Sequence, residues 1–179
     1  MPCIGSFWDN RRRRSLRDRR RELSKRELPN KPIEKLILEN LLSASRALRS
    51  RFDDFQQALD RRDEEAYRLA LDDFHRHLVR WTRAEEEALL PAVLRAEIPG
   101  RDPARELRLQ WVQVRELTRY LLDQIQKRAS LGDLLGLAEN LARRFAAHAS
   151  EMENVYYPAA APLLDAYAER VLAEAAPPL

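Results

Sequence analysis

The chain has 179 residues, 45% of them hydrophobic, a net charge of +3 and a single cysteine. That length fits one domain with a core of its own. The lone Cys3 excludes an internal disulfide and a thiol-built metal cage, so a reduced, cytoplasmic setting is the expectation.

Residues 1–30 hold ten Lys/Arg against four Asp/Glu, or +6, which leaves −3 for the rest. The basic character therefore belongs to an N-terminal arm. Arg11, Arg12, Arg13, Arg14, Arg19, Arg20 and Arg21 dominate it. Acids recur among them at helical spacing, Asp18 four after Arg14 and Glu22 four before Arg26, which predicts a short solvated helix over residues 10–28. The apolar residues Ile4 to Trp8 precede the basic run, the reverse of an export signal. Dense arginine attracts carboxylate and phosphate. The arm is thus a candidate surface for an acidic protein partner or an anionic surface, with nucleic acid as an alternative. Pro29 and Pro32 separate it from residues 31–179.

Helix 1 is predicted from Pro32 to Asp60, with Ile33, Ile37, Leu41, Ala44, Leu48, Phe55 and Leu59 along one stripe. Helix 2 is predicted over residues 63–97. Tyr67, Leu71, Phe74, Leu78, Trp81, Glu85, Ala88 and Ala92 are in line, and Pro91 should kink or divide it. Pro99-Gly100 marks a turn, and Asp102 before Pro103 reads as an N-cap and a first-turn proline. Helix 3 is expected to reach Ser130, with Leu107, Trp111, Val114, Thr118, Leu121 and Ile125 inward. Gly132 should break it and Asp133 cap helix 4, whose stripe is Leu134, Ala138, Leu141, Phe145, His148, Met152 and Val155. Pro158 and Pro162 interrupt that helix, and a last helical segment ends before Pro177. No apolar run approaches the ~20 residues of a membrane span. The fold class is all-α: an antiparallel up-down four-helix bundle made of two helix-pair repeats, preceded by a helical arm.

The repeat is visible in the residues. Under an offset of 67, Arg83 to Pro91 lies over Ser150 to Pro158, Trp81 over His148, Glu85 over Met152, and Glu86 over Glu153. Each copy has a core residue, an acidic cluster four to five residues on, and a proline ten residues on.

This pattern resembles the hemerythrin-like, or HHE cation-binding, family over residues 33–175. The resemblance implies a pair of irons held by His and Glu from all four helices. Carried over by position, the ligand sites fall on Asn40 in helix 1, Trp81 and Glu85 in helix 2, Trp111 in helix 3, and His148 and Met152 in helix 4. Only Glu85 and His148 keep the family's residue types. Asn is a poor substitute for imidazole, and two indoles would fill the space that a metal pair occupies.

Glu85 is turned inward by its register with Leu78 and Trp81, so it needs partners. His148 and the indole N–H groups of Trp81 and Trp111 are the candidates. Three readings stay open: a structural polar cluster, a remnant site for one metal or another small ligand, or a carboxylate that reaches solvent through a small rotation of the helix. His148 is equally a core histidine or a remnant ligand. His77, at the stripe's edge, is a candidate third ligand, and His75 is expected to be exposed. A haem on His148 is a further alternative, although Met152 on the same helix cannot take the opposite axial position. Glu86, Glu87 and Glu153 read as a solvated face, and Tyr156 and Tyr157 as packing at the bundle's end. No nucleophile with an adjacent base and no glycine-rich phosphate loop is present, so enzymatic activity is not expected. The leading expectation is a binding or regulatory module with no cofactor. The alternative is an iron- or haem-binding protein for sensing or oxygen chemistry.

Overall fold

The computed structural model describes residues 31–178, with side chains from Glu34 onward. The helix expected over residues 10–28 lies outside the described residues, as do the arginines that form it. Among the described residues the chain is all-α, with no strand. No helix there is long and apolar enough to cross a membrane.

Four long helices carry the fold: α1 (Lys31–Asp60), α2 (Glu64–Ala84), α4 (Pro103–Gln126) and α5 (Leu131–Glu151). Two shorter ones extend α2 and α5, namely α3 (Leu90–Arg95) and α6 (Tyr157–Ala160), and α7 (Ala166–Ala175) closes the chain. The stripes drawn from periodicity on α2 and α4 are buried at every position, from Tyr67 to Ala92 and from Leu107 to Ile125. On α1 and α5 the same holds except at the half-buried Ile37 and Val155, Ile33 being outside the described side chains.

Side chains tie the helices in a ring. Phe52 of α1 meets Phe74 of α2 at 5.1 Å between ring centroids and Phe145 of α5 at 5.6 Å. Phe74 meets Phe145 edge-on at 5.2 Å, so three helices share one aromatic cluster. Arg51 of α1 pairs with Asp73 of α2 at 3.3 Å. The α4 helix packs along both α2 and α5.

Helix starts follow side-chain chemistry. Asp63, Asp102 and Asp165 each accept from the backbone N–H three residues on, capping α2, α4 and α7. The cap of α5 differs from expectation. Ser130 accepts the N–H of Asp133 at 3.2 Å, and its hydroxyl donates back to the Asp133 carboxylate at 2.6 Å. Gly132 therefore sits inside the first turn, and Asp133 supports the cap from the third position.

One helix end is also corrected. Helix α4 stops at Gln126, short of Ser130, because Arg128 turns left-handed at φ 56°. Ala129 N–H then donates to Gln124 O, and Arg128 N–H to Ile125 O. Arg62, at φ 58°, ends α1 in the same way. Neither end carries the glycine that usually marks this motif.

Both motif prolines are preceded by a π turn. Glu85–Leu89 separates α2 from α3, and Met152–Tyr156 separates α5 from α6. Proline lacks an N–H and crowds the preceding turn. A π turn widens the helix there, which lets it pass the proline without stopping. The two π turns stand 67 residues apart, the offset of the sequence repeat.

Candidate functional site

The inward face of α2 continues without a break into the first π turn, and there it presents a carboxyl. Glu85 is fully buried. A charge in that position is costly unless hydrogen bonds replace the lost water. Each of its oxygens has a donor. Trp111 Nε1 of α4 donates to Oε2 at 2.9 Å. Tyr157 Oη, at the start of α6, donates to Oε1 at 2.6 Å. Trp81 Nε1, one turn before Glu85, donates to Tyr157 Oη at 3.3 Å, so this phenol both accepts and donates.

His148 of α5 completes the cluster from the other side. Its Nε2 lies 3.9 Å from Glu85 Oε2, too far for a hydrogen bond. Its Nδ1 lies 3.0 Å from Gln110 Oε1. The Gln110 amide donates in turn to Glu151, which also accepts from Arg101. Arg101 further donates to Glu106 at 3.1 Å and to Tyr156 Oη at 3.2 Å. One chain of contacts thus runs from a partly exposed charged group to the buried carboxyl.

Burial dominates the electrostatics. It pushes the Glu85 carboxyl up to about 7, against the pull of the Tyr157 and Trp111 hydrogen bonds. It lowers His148 to about 4, with the Glu151 charge opposing. Burial, with the neighbouring Glu85 carboxylate, raises the Tyr157 phenol well above its ordinary value, so it remains a donor. Near neutrality the cluster holds a neutral imidazole, a neutral phenol and a carboxyl close to its midpoint.

The positions singled out in the sequence fall in three groups. Trp81, Glu85, Trp111 and His148 come together as described, and Met152 is buried at 1% exposure in the second π turn. Asn40 does not join them. It is exposed, because it precedes the buried Leu41 and so points about 100° away from the inward stripe. His77 stays outside as well, with Nε2 3.6 Å from Asp73 on its own helix. His75 is half-buried, not exposed, and burial lowers its pKa.

Two acidic or aromatic residues need reassignment. Tyr157 is a direct partner of Glu85, whereas it was expected to pack the bundle's end. Its one sequence signal is that it precedes Pro158 where the other copy has Leu90 before Pro91. Glu153 is half-buried, not solvated. It accepts from Ser45 Oγ at 2.6 Å and Arg49 Nη2 at 2.5 Å, both on α1. Gln110 was passed over because a neutral amide gives no charge signal. Glu86 and Glu87 are exposed as expected.

A groove of about 640 Å³ lies between α1 and α7. Leu41, Ala44, Trp81 and Leu172 form part of its lining, with Asn40 and Arg170 also on its wall. Among the described residues, no group of three or more His, Cys, Asp or Glu is placed to hold a metal ion.

The model of the hemerythrin HHE cation-binding domain matches residues 36–160. The chain belongs to this family. The matched stretch contains both π turns, both motif prolines and every member of the Glu85 cluster, while α7 lies beyond it. Neither a curated protein nor a solved structure matches the chain.

Proposed function

We propose that this chain is a hemerythrin-family binding or regulatory module in which a hydrogen-bonded carboxyl cluster stands where the family holds two irons. On this reading the four long helices form an antiparallel up-down bundle of two helix-pair repeats. The π turns at an offset of 67 support the duplication.

The observation that carries the reading is the surroundings of Glu85. A di-iron centre needs several imidazoles and carboxylates directed inward. Here the carboxyl's two oxygens are taken by an indole N–H and a phenol O–H. Those donors do for a buried carboxylate what a cation would do, and they also fill the space. Trp111 and Tyr157 are fully buried side chains. Asn40 is exposed and Met152 replaces the second motif carboxylate, so these residues do not fit a di-iron pair. Glu85 and His148 are the remnant of the site, and Trp81, Trp111 and Met152 stand at its former ligand positions.

A second reading rests on one distance. His148 Nε2 and Glu85 Oε2, 3.9 Å apart, could share a single metal ion. Elemental analysis and a visible spectrum of protein purified without chelator separate the two. Metal well below one equivalent and a featureless visible spectrum support the filled centre. Near-stoichiometric iron, or a haem band, overturns it.

The module's partner would be met by the N-terminal arm. Ten Lys/Arg in thirty residues favour an acidic protein or another anionic surface. Binding should weaken with salt and vanish when residues 1–30 are removed. Affinity that survives the deletion would move the interface to the helical part.

A further inference from the structure

The chain of contacts that leads from Arg101 through Glu151, Gln110 and His148 towards Glu85 bears on which nitrogen of His148 carries its hydrogen. Glu151 anchors the surface end of this chain. It accepts from Arg101 and from the Gln110 amide, and its carboxyl is held below the usual range despite partial burial, mainly by the hydrogen bonds from Arg101 and Gln110. An ionised carboxylate can only accept. The NH₂ end of Gln110 must therefore face Glu151, and its carbonyl end must face His148. That carbonyl oxygen, 3.0 Å from Nδ1, also can only accept, so Nδ1 must donate. A neutral imidazole has one N–H. The other nitrogen, Nε2, is then a bare lone pair turned towards Glu85 at 3.9 Å.

We infer that Gln110 and Glu151 are positioning residues that lock His148 in the Nδ1–H tautomer, and that the Arg101–Glu151 ion pair controls this lock from the surface. The opposite tautomer would aim an N–H at Glu85 and give the carboxyl another donor. The tether forbids that state while Glu151 is ionised and paired. Arg101 is 34% exposed and Glu151 24%, so a binding partner or a modified charge can reach the pair without opening the core. Loss of the Glu151 charge frees the Gln110 amide to turn over. His148 then moves its hydrogen to Nε2, and the buried cluster changes from an acceptor facing Glu85 to a donor. Both Glu85 oxygens already have donors in Trp111 and Tyr157, and at 3.9 Å the carboxyl is too far to hydrogen-bond Nε2, so the direct bond to Gln110 outweighs its pull towards the opposite tautomer.

The inference does not depend on the metal-free reading, and chelator-treated protein separates the two. The measurement is a long-range ¹⁵N–¹H spectrum of the imidazole rings at neutral pH on the full chain, with His148 assigned through His148→Gln. Nδ1 in the protonated range and Nε2 in the bare range are expected. Glu151→Gln can both donate and accept, so it should shift the two nitrogens towards each other or exchange them. Gln110→Leu, which removes the acceptor at Nδ1, should give the Nε2–H form. If Gln110→Leu fails to fold, the partly exposed Glu151→Gln still decides. An Nε2–H ring in the unaltered chain overturns the inference. So do ring resonances that stay put in Glu151→Gln.

Discussion

Tyr157 donates its phenolic hydrogen to Glu85 across 72 positions of sequence, at 2.6 Å, inside a fully buried cluster. Removing that donor leaves a buried carboxyl oxygen with no replacement water. Tyr157→Phe should cost about 1–3 kcal/mol of unfolding free energy. The loss should be larger at pH 8 than at pH 5, because the ionised carboxyl needs the donor more than the neutral one. Trp111→Phe should behave alike through Oε2. Urea unfolding at the two pH values checks both, and equal losses at both would mean that only packing was removed.

Glu85 and His148 should give opposite pH slopes that partly cancel. Glu85 rises from 4.5 unfolded to about 7 folded. The native state therefore binds its proton more tightly, and this stabilisation, full below pH 4.5, is lost as pH climbs through 7. His148 falls from 6.5 to about 4. The unfolded state binds that proton more tightly, so stability is lost as pH drops below 6.5 towards 4. Between 4.5 and 6.5 each state holds one of the two protons. Relative to the unaltered chain, His148→Gln should lose stability on going from pH 4 to 6.5. Glu85→Gln should gain it on going from pH 4.5 to 7. Each swing is bounded at about 3 kcal/mol by the size of the shifts. Parallel pH profiles for all three proteins would sink the assignment.

Helix α7 lies outside the stretch matched to the family, yet it buries Ala168, Leu172 and Ala175. Leu172→Ala should cost about 2–4 kcal/mol, as truncation of a buried leucine does. A loss within about 0.5 kcal/mol, the range of surface substitutions, would show that α7 is not packed as described.

Ser130 offers a local test of helix initiation. Ser130→Ala removes the cap of α5 and the bond to Asp133, and should cost about 1 kcal/mol. Ser130→Asp should recover less than the usual cap value, because its charge would face Asp133. A thermal scan of both variants is sufficient.

Much of this was legible in the chain itself. The α2 and α4 stripes read true because a period of 3.6 must bury one face, and every residue placed on them is inside. Glu85 announced itself as a carboxyl on an apolar stripe. Asn40 misled because it was placed by analogy with a ligand position, while its own neighbour Leu41 already occupied the inward phase. Arg128 hid the end of α4, since a left-handed residue other than glycine leaves no compositional mark. Tyr157 and Gln110 were invisible for a different reason. Their importance lies in which distant atom they meet, and that is decided by how the helices pack.

The paired π turns change how later residues must be counted. Each inserts one residue relative to the α repeat, which rotates everything after it by about 100°. The buried face accordingly widens there: Ala92 of α3 continues the α2 stripe, and Leu89, Leu90 and Val93 are buried beside it. Deleting one residue from 85–89 or 152–156 would restore a uniform phase and turn the wrong face inward. The frame of the helix, as much as the identity of its side chains, is what brings Tyr157 to Glu85.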